Sequence, residues 1–207
     1  MSAIERKQHI ENLLKELDVF LHDDLPPLEE DSNVTLRAPQ EIARRIIILT
    51  YLNCAAEDDV LRKQIVQFLQ AEGVWDAASQ EEKMLFTKPI LTDEDVAKIY
   101  WRSEAIWLLM WTINKVDTLD LPIEEVNIPA MFSLLPAFMT SANNFIDSAA
   151  TKSVSEIIDQ SDLTFRLNWA AREAHLNGSQ DFKFNRGILY ERYHAINWVT
   201  RMKNEWD

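Results

Sequence analysis

Glycine is scarce in this sequence: three residues in 207, against an ordinary share of about 7%. Hairpins and barrels consume glycine at positive-φ turns, whereas antiparallel helices need only an occasional C-cap glycine, so the scarcity favours an all-α chain before any periodicity is read. Cysteine is scarcer still. The one thiol, Cys54, cannot pair within the chain, which excludes a disulfide scaffold and fits a cytosolic protein. Long apolar runs are missing: the longest strongly apolar stretch, Ala105 to Trp111, lies between Glu104 and Thr112, far short of the ~20 residues that span a bilayer. The N-terminal segment is amphipathic and lacks the apolar core of a signal peptide, so no export and no membrane association are expected. Positive charge is short as well. Against 34 Asp and Glu stand 21 Lys and Arg, a net charge of −13, which repels phosphate backbones and excludes nucleic acid as an expected partner.

What is present is a globular composition, 47% hydrophobic and 27% charged, with seven tryptophans. A chain of this length buries a core without staples. Apolar spacing predicts an amphipathic helix over 3–21, then a solvated linker over 22–31, which carries five acids, no Lys or Arg, and the Pro26-Pro27 pair. Residues 1–35 are thus read as a helix plus linker, and 36–207 as one compact all-α domain of about seven or eight helices. Pro39 suits a first helical turn and opens a helix to about Cys54, and 58–71 continues with Gly73 placed for a C-cap. Ser79 to Glu82 and Ser153 to Glu156 have capping-box spacing. Three acids after Thr92 complement a helix macrodipole and open the longest helix, to about Lys115. Helices are also expected over 138–150, 163–176 and from Gly187 or Ile188 to about Lys203, with a loop over 179–185. No alternating run is long enough to require a strand, although Val126 to Pro129 allows a short one.

Catalytic signatures are missing: no G-x-G-x-x-G, Walker loop, G-x-S-x-G or H-E-x-x-H occurs. Cys54, after a run of Ile and Leu, reads as a buried inert thiol. Chemistry-bearing residues sit instead on the most apolar helices: Trp101, Arg102, Glu104 and Trp107; Arg166, Trp169, Arg172 and Glu173; Glu191, Arg192, His194, Asn197 and Trp198. Helical spacing aligns Glu104 with Trp107, Arg166 with Trp169 and Glu173, and Glu191 with His194 and Trp198. Buried charges must be paired, so one reading is an interhelical network with indoles on guanidinium planes. The other is a cleft in which surplus arginine receives a small anion. His175 and His194 have no i, i+4 partner, so no metal is expected, and no cofactor.

Several blocks carry a family resemblance: Arg37 to Arg45, Gly73 to Asp76 with Ser79 to Glu82, Trp101 to Trp107, Ser155 to Asp159, Arg166 to Ala174, Asn177-Gly178 and Glu191 to Trp198. From about Leu36 to Asp207 the chain resembles the bacterial family of domain of unknown function 4272. Members tend to finish in Trp-Asp-Asp, where this chain has Glu205-Trp206-Asp207. The resemblance implies a helical fold and a bacterial cytoplasmic setting, and transfers no activity. A non-catalytic binding protein with an acidic surface, engaging a basic protein partner, is therefore the expected function, with the small-anion cleft or an enzyme built on it as the alternative. Catalytic residues and oligomeric state stay open.

Overall fold

The computed structural model describes residues 1–22, 24–179 and 182–207. Ten helices occur among them: α1 (Ala3–Glu16), α2 (Pro39–Glu57), α3 (Asp59–Ala71), α4 (Gln80–Thr87), α5 (Asp93–Trp101), α6 (Ser103–Thr112), α7 (Ile128–Phe132), α8 (Asn143–Asp147), α9 (Val154–Leu176) and α10 (Arg186–Val199). Eight of these have eight residues or more, so the fold is all-α with the expected number of substantial helices.

Local chemistry explains the starts. Ser2, Ser79, Thr92 and Ser153 each accept a bond from the N3 backbone amide, and an acid at N3 reaches back to the cap, four complete capping boxes. Pro39 occupies a first turn, where its missing N–H is no loss. Gly73, at φ +67°, follows α3 in the left-handed region that favours glycine.

Packing sets the layers. In α2, Ile42, Ile46, Ile48 and Leu49 are fully buried, and in α6 Ala105, Ile106, Leu108, Leu109 and Met110 are too. These two helices pack together, α3 closes on α2, and α10 lies against both α6 and α9. A smaller core beneath α1 joins Ile10 and Leu14 to Leu167, Ala171 and Leu189.

Several boundaries differ from the sequence expectation. The helix expected over 92–115 breaks at Arg102, whose N–H bonds back to Ile99 O at 3.2 Å, an i−3 turn that separates α5 from α6. The span 138–150 is helical only over α8, and the segment that allowed a short strand instead caps α7, Asn127 accepting from Ala130 N–H. The capping box at Ser153 and the pattern over 163–176 belong to one helix, α9. Residues 22–31 are less solvated than expected: Leu25 is buried, and the carbonyls of Leu25, Pro26 and Glu29 accept from Lys7, Arg166 and Arg6. Asp23 of that linker, and Gln180 and Asp181 of the expected 179–185 loop, lie outside the described residues.

Candidate functional site

The expected residues do not form one cleft. They divide among four places, of which the most charged lies along α10. Helical spacing lines up Gly187, Glu191, His194 and Trp198 there. Gly187 faces Trp101, and the far end of the stripe meets residues 200–207, which fold back so that Trp206 is buried against Trp198 and edge-on to His194, ring centroids 5.3 and 4.6 Å apart. The backbone of half-buried Asn197 anchors that return, its carbonyl accepting from Lys203 N–H at 3.0 Å. Arg45 brings its guanidinium 4.9 Å from the Trp206 ring centre and 5.5 Å from that of Trp198, while Arg37 lies 4.2 Å over Trp198. Cations and indoles thus alternate, an arrangement favoured by the ring quadrupole.

The arginines here are committed to carboxylates. Arg45 pairs with fully buried Glu82, and Arg102 reaches Glu81 at 3.0 Å and Glu82 at 3.5 Å. The Glu191 carboxyl makes no hydrogen bond or ion pair among the described residues, and burial raises it to about 7 despite the opposing Arg102 and Lys98 charges. Burial lowers His194 to about 4, reinforced by Lys203 and Arg102 and partly offset by a bond to the Trp206 carbonyl. Against burial, the Glu81 N–H and the Ser79 hydroxyl hold Asp207 below the usual carboxylate range.

A second group surrounds Glu104. Its Oε1 accepts from Val126 N–H at 2.6 Å and its Oε2 from Arg192 Nη2 at 3.1 Å, while Arg192 Nη1 donates to Asp120 O at 2.6 Å. Half-buried Trp107 lines a cleft of about 660 Å³ with Asp120, Ile123, Glu124, Glu125 and Arg192. Half-buried Trp101 shares a smaller one, about 190 Å³, with Glu104.

The third and fourth places are on α9. Arg166 is completely buried between Glu11 and Asp162, 3.0 and 3.1 Å away. Arg172, one of the arginines read as a candidate for the network or the cleft, is exposed and lies over half-buried Trp169, 5.5 Å from the ring centre. Glu173, half-buried, borders a separate groove beside Phe20 and Phe184. Of the arginine–glutamate pairs expected between these helices, the structure forms Arg192 with Glu104; Arg102 and Arg166 find other partners. Burial raises the thiol of half-buried Cys54, which keeps it a poor nucleophile. Among the described residues no group of three His, Cys, Asp or Glu side chains is placed to hold a metal ion.

Residues outside the expected set prove equally committed. Arg6 is buried against Asp31 and Asp159, and Arg45, Glu82 and Trp206 complete the α10 site. An arginine inside the Ile-rich run of α2 was the available signal for Arg45, and the terminal Trp-Asp that the family resemblance singles out was the signal for Trp206; Arg6 carried none.

Comparison with curated proteins and with solved structures returns no match. No described helix is long and apolar enough to cross a membrane. A family model described as a domain of unknown function, DUF4272, matches residues 6–207, extending the resemblance of the motif blocks back through α1, and the chain belongs to that family.

Proposed function

We propose that this chain is a non-catalytic binding protein that engages a basic protein partner at the cleft beside Trp107. The observation that carries the reading is a set of uncommitted carboxylates at an aromatic wall. Asp120, Glu124 and Glu125 are exposed and form no ion pair among the described residues, and Ile123 beside them is 49% exposed. Arg192, the cation of that cleft, is already occupied by Glu104 and the Asp120 carbonyl. A lysine or arginine of a partner gains the carboxylates for its head, the indole face for its charge and Ile123 for its stem. The net charge of −13 accelerates such encounters at low salt. A cytoplasmic setting agrees with the single unpaired thiol.

The small-anion alternative at Arg102, Arg166, Arg172 and Arg192 has less support, because three of these guanidiniums are bonded to carboxylates and the fourth stands on an open surface. Affinity capture from native lysate tests the proposal, comparing the unaltered chain with the triple variant Asp120→Asn, Glu124→Gln, Glu125→Gln. The expected result is a Lys- and Arg-rich protein retained at low salt by the unaltered chain and lost by the variant. Equal retention of every protein by both would remove the reading.

A further inference from the structure

The acidity of the chain is not uniform around its clefts. In four of them carboxylates outnumber cations. The cleft of about 650 Å³ between α3 and α4 is the reverse: Arg62, Lys63 and Lys88 line it against one acid, Asp59. Its walls are apolar, formed by Val60, Val66, Phe86 and Pro89. Val60 is 70% exposed at the rim, and neighbouring Ile90 is 72% exposed. An apolar surface with convergent cations is the ordinary make-up of a site for a small amphipathic anion.

The commitments of the three cations set the charge of that anion. Lys88 already pairs with Asp95. Lys63 is exposed and forms no ion pair among the described residues. The Arg62 side chain is only 3% exposed; its Nη2 reaches Asp59 and, at 3.5 Å, the Pro89 carbonyl, while its Nη1 is buried with no hydrogen-bond partner among the described residues. A buried guanidinium nitrogen with no partner on the protein is an unmet demand. Asp59, by contrast, is 60% exposed. It sits inside the first turn of α3, whose cap is the neighbouring Asp58, so Asp59 is free to leave the arginine without uncapping the helix. Free capacity is therefore one guanidinium edge and one ammonium, which matches the two oxygens of one carboxylate.

We propose that the α3–α4 cleft binds a small amphipathic monocarboxylate, whose head exchanges with Asp59 on Arg62 while its apolar body lies along Val60, Val66 and Phe86. Asp59 acts as a stand-in for the ligand head. This occupant is independent of the partner cleft at Trp107, since the two share no residue.

Titration calorimetry on the full chain with octanoate as the probe tests the assignment, with octylamine and octyl glucoside, both below micelle-forming concentration, as controls for charge and for apolar contact alone. Saturable octanoate binding is expected, with none for octylamine and at least tenfold weaker binding for octyl glucoside. Lys63→Glu and the rim variant Val60→Asp, both at exposed positions, each weaken octanoate at least tenfold. Asp59→Asn strengthens it severalfold, because the competitor is gone. Circular dichroism checks that each variant keeps its helical content. Octyl glucoside binding as tightly as octanoate, octanoate unaffected by all three variants, or no octanoate binding at millimolar concentration by either the unaltered chain or Asp59→Asn would each overturn the proposal.

Discussion

Trp101 occupies the space that a side chain at Gly187 would need. A Cβ placed on Gly187 would lie 2.5 Å from Cη2 and 2.9 Å from Cε3 of that indole, inside any real contact distance. Gly187 is in the first turn of α10 with ordinary helical φ, so its role is close approach and not backbone freedom. It lets α10 lie against the α5–α6 junction, which in turn places Glu191 near Arg102.

Gly187→Ala is accordingly expected to destabilise, although alanine is the better helix former. Overpacking costs about 1–3 kcal/mol, and at this length each kcal/mol lowers Tm by about 2–4 °C. Calorimetric melting of Gly187→Ala, Trp101→Ala and the double variant checks it. The double variant should melt well above the temperature that additive losses would give, because the second change removes the clash.

Glu191 gives the protein a stability slope with a definite sign. Its folded carboxyl titrates at about 7, above the ordinary 4.5, because it is buried. The unfolded chain ionises first as pH rises, so folding loses stability between about pH 4.5 and 7, by about 3 kcal/mol in all. Glutamine keeps the shape and removes the charge. Urea unfolding should therefore show the Glu191→Gln variant gaining on the unaltered protein from pH 5 to pH 8. A constant difference would mean that the carboxyl is solvated.

His194 slopes the other way. Burial holds it at about 4, below the ordinary 6.5, so the unfolded chain takes up the proton first on acidification. Stability present above pH 6.5 is lost as pH falls toward 4. His194→Gln should cost some stability at pH 7 through weaker packing on Trp206, yet lose less of what remains between pH 6.5 and 4.5. Unfolding midpoints at pH 7, 5.5 and 4.5 decide it.

The features legible in the sequence are those written in adjacent residues. Capping boxes at Ser79 and Ser153 and the three acids after Thr92 mark real helix starts, and Glu191, His194 and Trp198 do lie on one helix at that spacing. Breaks and partners are written elsewhere. Apolar spacing runs through Arg102 without interruption, so the i−3 turn there leaves no trace in the pattern. Arg102 meets Glu81 and Glu82, and Trp198 meets Arg45 and Trp206, across separations that periodicity does not encode. The proline-containing acidic segment looks solvated because its side chains are polar, whereas its backbone carbonyls, with the Glu30 and Asp31 carboxylates, anchor it to the N–H of Ala3 and to Arg6, Lys7 and Arg166.

Arg166 and Arg172 show how far six positions on one helix separate two similar residues. At 100° per residue they point about 120° apart, and one is fully buried while the other is exposed. Removing Arg166 strands Asp162, which is itself fully buried and whose carboxyl burial already raises in spite of the arginine. Arg166→Met should cost about 3–5 kcal/mol at neutral pH, the usual penalty for leaving one member of a buried pair. Arg172→Ala should stay within about 0.5 kcal/mol, as surface changes do. The Arg166→Met loss should shrink on acidification, because Asp162 without its partner protonates readily and a neutral carboxyl tolerates burial far better. Urea unfolding at pH 7 and pH 5 measures both effects, and an Arg166→Met loss independent of pH would place the cost in lost packing instead of in the stranded charge.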